Sequence, residues 1–184
     1  MEKVFEQQLA LIVQSLGLYV VSTRTGDRTV DLICISADPS FPMTFLLEAK
    51  TTQRPYTLPT DDARALMEYI HEVRTALTTL PPLQFVLIVG PEASSTLSGK
   101  LQRLEIKAGL PIRFCTAEDI AHLRDSITGP LPLNELVQRV QLGPWVLPSS
   151  FVEDIRIRHE RLRETHEAFV RTMLYPRDFP GLRA

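Results

Sequence analysis

The sequence predicts an α/β protein: a mixed central β-sheet flanked by helices, with one further helix at the C-terminal end. Three observations predict it. Helix-like and strand-like stretches follow one another in the order helix, strands, helix, strand, helix, strand, helix, which is the order of a mixed α/β core. The run "LQFVLIVG", beginning at Leu83, is continuously apolar, as expected of a central strand covered on both faces. Two further strand-like segments, over 30–36 and 44–51, are separated by the Pro- and Ser-containing loop "ADPSFP" and can pair as a hairpin.

Each element has its own signal. Phe5, Leu9, Ile12, Val13 and Leu16 recur at the three-and-four spacing of a core-facing helix, and Gly17 follows as its stop. "LYVVSTRTGDRT" reads as a short strand and a polar turn, and the hairpin comes next. Pro59, Thr60, Asp61 and Asp62 then supply start and first-turn signals for a helix whose stripe is Ala63, Leu66, Met67, Ile70, Val73 and Leu77. After the central strand come a helix over 95–108, the strand "PIRFCT", a helix opened by Thr116, and a short helix in "PLNELVQRVQ". "GPWVLPSS" reads as a linker, and 151–175 as one long charged helix outside the core. The expected division is a domain over 1–147 and a helical extension over 148–184.

Composition narrows the function classes. A chain of 184 residues with 44% hydrophobic residues is an ordinary globular protein with enough length for one full core. No apolar run approaches the roughly 20 residues that span a membrane, and "MEKVFEQQ" lacks a signal-peptide layout, so the expectation is a cytoplasmic protein without membrane contact. Cys34 and Cys115 sit in apolar strand contexts and read as buried free thiols. A formal net charge of −2 argues against nucleic-acid binding through a global basic field, so any such contact is local or delivered by a partner.

The chemistry lies in the hairpin, "TVDLICISADPSFPMTFLLEAKTT". Charges inside strand runs cost stability unless something compensates them. Glu48 and Lys50 are alternate residues and share a face. If the two strands pair, Asp31 at the start of one lies beside Glu48 near the end of the other. Two carboxylates and an ammonium then converge. Such a set suits Mg²⁺, which takes a few acidic ligands and keeps waters and phosphate oxygens. The competing reading is a solvent-facing strand edge.

Asp31, Glu48 and Lys50 form an Asp-(x)n-Glu-x-Lys pattern, the PD-(D/E)xK nuclease signature. Beyond it, the chain resembles the FokI-type cleavage domain of type IIS restriction endonucleases. "KTTQRPYTLPTDDARALMEYI" is similar to the family's segment after the catalytic lysine, and "LQFVLIVG", "LQRL" and "FCTAEDIAHL" follow in the family's order, from about residue 2 to 147. The resemblance implies a restriction-endonuclease-like core and an Mg²⁺-dependent endodeoxyribonuclease, with Mn²⁺ as a substitute. Asp31 and Glu48 become its metal ligands, Lys50 its catalytic lysine, and Glu6 an additional outer acid. Two positions depart from the family: Val30 stands where Pro is usual, and Glu48 replaces the FokI-type Asp.

Further expectations follow. Arg24, Arg28, Thr52, Gln53, Arg54 and Tyr56 flank the motif and are candidates for DNA-backbone contacts, which position the duplex without reading its sequence. In the family, the helix after the catalytic strand pairs two cleavage domains through an acid and a base one turn apart. The corresponding residues here are Arg64 and Glu68, in reversed order, which could bond within the chain or across a two-fold axis in a homodimer formed on DNA. In the tail, Ile155, Leu162 and Phe169 recur every seven residues, a thin seam suited to docking. No DNA-reading module is visible, so the expected activity has little sequence specificity and is targeted by a DNA-recognition partner protein or a missing domain. The alternative is a catalytically weak nuclease-fold subunit acting in DNA binding or assembly.

Overall fold

The computed structural model of the protein describes residues 2–22, 30–76, 79–127 and 133–174. Helix α1 (Glu2–Ser15) stops where Gly17 takes φ 86°, a left-handed conformation that glycine adopts without steric cost. Strands β1 (Leu18–Ser22), β2 (Leu32–Ser36) and β3 (Thr44–Ala49) form an antiparallel meander. Strands β4 (Leu83–Gly90) and β5 (Ile112–Thr116) extend the sheet in parallel, in the spatial order β1-β2-β3-β4-β5. Parallel neighbours need crossovers, and α2 (Thr60–Ala76) and α3 (Leu97–Ala108) supply them. The helices α4 (Ala117–Ser126), α5 (Leu133–Leu142) and α6 (Ser150–Leu174) follow the last strand.

Both faces of this sheet are covered, and strand alternation divides the core in two. On one face Leu32, Cys34, Phe45, Leu47, Phe85 and Leu87 meet Leu9 and Val13 of α1, Ile120 of α4 and Val140 of α5. On the other, Ile33, Leu46, Val86, Ile88 and Ile112 meet Leu66, Ile70 and Val73 of α2 and Leu101 and Leu104 of α3. Cys34 and Cys115 are buried free thiols, and burial pushes both above the ordinary thiol range. Thr116 caps α4 with a reciprocal box: its hydroxyl accepts from the Asp119 N–H at 3.1 Å, and the Asp119 carboxylate accepts from the Thr116 N–H at 3.2 Å.

The structure corrects the reading of the C-terminal part. "GPWVLPSS" is not a free linker: Phe114 N–H donates to Trp145 O and Leu147 N–H donates to Phe114 O, both at 2.8 Å, so residues 145–147 lie along β5. The start of α6 is not outside the core either. Phe151, Val152 and Ile155 are buried among the residues of the first cluster, because the apolar residues of its opening turns face the body. Only the outer stretch, 161–170, is exposed throughout.

Arg113 is the buried charge that ties these parts together. It pairs with Glu105 of α3 and donates to Ile112 O at 3.0 Å and to Gln141 O at 2.9 Å, while being only 3% exposed. Removing one partner of a buried pair strands the other. Arg113→Met is therefore expected to destabilise by about 2–3 kcal/mol, below the full cost because Glu105 keeps its bond from Trp145. Urea unfolding checks this, and an unchanged midpoint would contradict it.

Candidate active site

The β2–β3 register brings the two acids of the hairpin together. Leu32 stands opposite Leu47, so one step further along the same antiparallel pair Asp31 stands opposite Glu48. Ile33 and Leu46 face the α2–α3 side, and by alternation Asp31 and Glu48 face the same side. The Asp31 Oδ2 accepts the Ala49 N–H at 2.7 Å, which holds the carboxylate at the end of β3. Just past that end the backbone N–H of Lys50 donates to Val89 O at 2.8 Å, so the neighbouring parallel strand positions it.

Lys50 Nζ is 2.9 Å from Glu48 Oε1 and 3.2 Å from Asp62 Oδ2. Asp62 is itself fixed, accepting the Tyr56 hydroxyl at 2.8 Å. The ammonium thus bridges a strand carboxylate and a helix carboxylate. Burial works against its charge, but Glu48 and Asp62 outweigh burial and hold the Lys50 pKa above the ordinary lysine value. Lys50 is an ammonium at neutral pH.

The carboxylates show the opposite condition. Burial first, then the facing Glu48 charge and Glu6, push Asp31 up to about 7, against the pull of the Ala49 N–H and Lys50. Glu48 is raised as well, by burial, with Lys50 and the Asp31 backbone N–H pulling the other way. Glu48 is only 6% exposed, and its Oε2 is buried without a hydrogen-bond partner. A buried acceptor left unmet, beside a second carboxylate held partly protonated, is a demand for positive charge. A divalent cation taking oxygen ligands fits that demand, and Asp31 and Glu48 are the residues that would hold it. Among the described residues no group of three or more His, Cys, Asp or Glu is placed to bind a metal. Two carboxylates suffice for the Mg²⁺ class, which completes its shell with water and phosphate oxygens.

The other expected residues divide. Glu6 is close enough for Asp31 to feel its charge but does not complete a three-acid cluster. Thr52, Gln53 and Arg54 are exposed in the loop after Lys50. Tyr56 is not a loop residue facing solvent. It is 5% exposed, its backbone bonds to Glu92 O at 2.7 Å and to Ser94 N–H at 3.0 Å, and its ring stacks on Phe114. That burial, with the bond to Asp62, pushes its phenol far above the ordinary range. Arg64 and Glu68 are both exposed on α2, yet Arg64 bonds to Asp61, at 3.1 Å, rather than to Glu68. Arg24 and Arg28 lie outside the described residues.

Asp62 is the site residue that sequence reading missed. Its position in the first turn of α2 is a helix-start signal, and that local explanation hides the long-range one. Tyr69, buried on α2, is the other neighbour: burial and the Glu48 charge raise its phenol.

No protein-family model matches the chain, and no curated protein does. Solved structures do. Restriction endonuclease FokI bound to DNA matches with a TM-score of 0.67 and 16% identity, over 79% of this chain and 28% of that chain. FokI without DNA matches with a TM-score of 0.68, the same 16% identity and the same coverage of 79% and 28%. At that identity the likeness is one of fold. This chain has the restriction-endonuclease-like fold of FokI, on a length a little over a quarter of the FokI chain.

Proposed function

We propose that the chain is the catalytic unit of a divalent-metal-dependent endodeoxyribonuclease of the PD-(D/E)xK type. It hydrolyses phosphodiester bonds with little sequence preference of its own. The observation that carries this reading is the buried, unpartnered Glu48 Oε2 facing an Asp31 whose carboxyl is pushed up to about 7, at the end of the strand that leads into Lys50. The FokI-like fold supports it, and FokI in complex with DNA suggests the substrate.

Mg²⁺ bound at the site, or Mn²⁺ in its place, would supply a water of lowered pKa and positive charge for the phosphate. Asp31 and Glu48 would hold that charge, and the cation would offset the burial that raises both carboxyls and the Glu48 charge that further raises Asp31. Lys50, kept as an ammonium by Glu48 and Asp62, is unsuited to take a proton. Its role is to orient and neutralise the phosphoryl oxygens as negative charge builds on them during in-line attack. Asp62, braced by Tyr56, sets where the ammonium stands. The product carries a 5′-phosphate.

Metal binding tests the assignment apart from cleavage. Free Mn²⁺, followed by its electron paramagnetic resonance signal at pH 8, is expected to be taken up by the wild type, with affinity at least tenfold weaker in Glu48→Gln. Equal uptake by both would contradict the assignment.

Cutting both strands of a duplex requires two sites, and we assign the second to another copy of this chain assembled on DNA. Arg64 and Glu68 are exposed on α2 and present opposite charges to a two-fold-related copy. Arg64→Glu is expected to leave nicking intact while linear product falls at least tenfold. An unchanged ratio of linear to nicked plasmid would remove these residues from the interface. Targeting falls to a DNA-recognition partner or further domain. The exposed outer part of α6, with Leu162 at 52% and Phe169 at 61% exposure, is the surface assigned to it.

A further inference from the structure

A second charged surface lies beside this site. Lys100, Arg103 and Lys107 fall three and four residues apart on α3, so they share one helix face. With Leu58, Thr60 and Ala63 they line a groove of about 240 Å³ between α3 and the start of α2. All three cations are exposed, and among the described residues none of them has an acidic group within ion-pairing distance. The acids nearest in sequence to the groove are already engaged. Asp61 pairs with Arg64, Asp62 holds Lys50 and accepts from Tyr56, and Glu105, between Arg103 and Lys107 on α3, pairs with Arg113 and accepts from Trp145. Like charges at this spacing repel one another on a helix, and in a chain of net charge −2 they are not part of a general basic excess.

The groove is joined to the site by the backbone. Lys100 Nζ donates to Leu58 O at 3.3 Å. Leu58 is the one non-glycine residue with positive φ among the described residues, at 53°, in the segment that runs from Lys50 into α2. A left-handed leucine is held only where its surroundings fix it. Thr60 on the groove wall stands two residues before Asp62, which pairs with Lys50.

We propose that this groove seats phosphates of the DNA backbone next to the cut, with Lys100, Arg103 and Lys107 as a sequence-independent phosphate track. The inference rests on the nuclease reading for the identity of the polyanion. Phosphate contacts position a duplex without reading it, which suits a catalytic unit that leaves recognition to a partner. It also shows how a chain of acidic balance holds DNA, through local cations rather than a global field.

The test is the salt dependence of duplex binding, measured in EDTA so that nothing is cut. Each phosphate neutralised contributes about 0.9 to the slope of log affinity against log salt concentration. Lys100→Gln/Arg103→Gln/Lys107→Gln is expected to lower that slope by about 2–3 and to weaken binding at least tenfold at low salt. Loss of charge at the exposed Lys3 and Arg124, away from the groove and from the outer part of α6, is expected to leave the slope unchanged. Because all three groove residues are exposed, the variant is expected to melt with the wild type. An unchanged slope in the groove variant would overturn the proposal, as would an equal fall in the control variant or no duplex binding by the wild type. Cleavage in Mg²⁺, run alongside, separates the two readings. A wild type that cuts while the groove variant keeps its slope loses only the track. A wild type that binds through the groove but never cuts keeps the track and loses the nuclease.

Discussion

Asp31→Asn is expected to abolish cleavage and, at the same time, to make the metal-free protein more stable above pH 7. The two effects have one cause. Asp31 faces Glu48 across the β2–β3 pair, half-hidden from water, and its pKa is pushed up to about 7 by burial and by that neighbour. The folded state therefore holds this proton more tightly than the unfolded chain, whose Asp titrates near 3.8. Between those values the folded state binds more protons, so stability falls as pH rises from about 4 to about 7 and stays low above. Glu48, also raised, adds to the same slope. At roughly 1.4 kcal/mol per unit, discounted for the solvent that reaches Asp31, the loss is on the order of 3 kcal/mol. Asn carries no charge and flattens much of the slope. Mg²⁺ added at pH 8 is expected to restore stability in the wild type and not in the variant, since a ligand stabilises the state that binds it. Urea unfolding at pH 5 and pH 8 reads all of this. A wild-type curve that is flat, or a variant that keeps the wild-type slope, would contradict the paired-carboxylate account.

Lys50→Met is expected to separate binding from chemistry. The ammonium bridges Glu48 and Asp62, so its loss leaves two carboxylates, one of them 6% exposed, without their cation. Removing one partner of such a pair is destabilising, here by about 2 kcal/mol because the Lys50 side chain keeps 21% exposure. Cleavage is expected to fall by about 10²–10³, the range for deleting one donor aimed at developing negative charge. Metal affinity is expected to hold or rise, because a positive neighbour has gone. A variant that cuts at the wild-type rate, or that loses Mn²⁺ uptake along with cleavage, would show that Lys50 does something other than act on the phosphate.

The parts of this site that were legible in the sequence are those fixed by strand periodicity. Glu48 and Lys50 are alternate residues and share a face, and once the two strands pair as a hairpin Asp31 comes to lie beside Glu48, as the observed register shows. The parts that were not legible depend on contacts far apart in the chain. Tyr56 sits among polar residues and reads as loop, but the bridge to Ala93 draws it under Phe114. Asp62 has a sufficient local reason to open α2, and only the folded structure shows it reaching Lys50. The Gly- and Pro-containing stretch before α6 carries every mark of a linker, and yet Trp145 and Leu147 bond to β5 through backbone groups that no side-chain pattern reports. In the tail the seven-residue repeat is real but not uniform: Ile155 is buried against the body, while Leu162 and Phe169 are exposed. Among the described residues no helix is long and apolar enough to cross a membrane.

The most direct test of the nuclease reading is the conversion of supercoiled plasmid by the purified protein in Mg²⁺ or Mn²⁺, beside Asp31→Ala. The wild type is expected to yield nicked and linear DNA only when the metal is present, and the variant to leave the plasmid supercoiled. Equal conversion by both proteins, or none by the wild type at high protein concentration in either metal, would contradict a catalytic role for the Asp31–Glu48–Lys50 site.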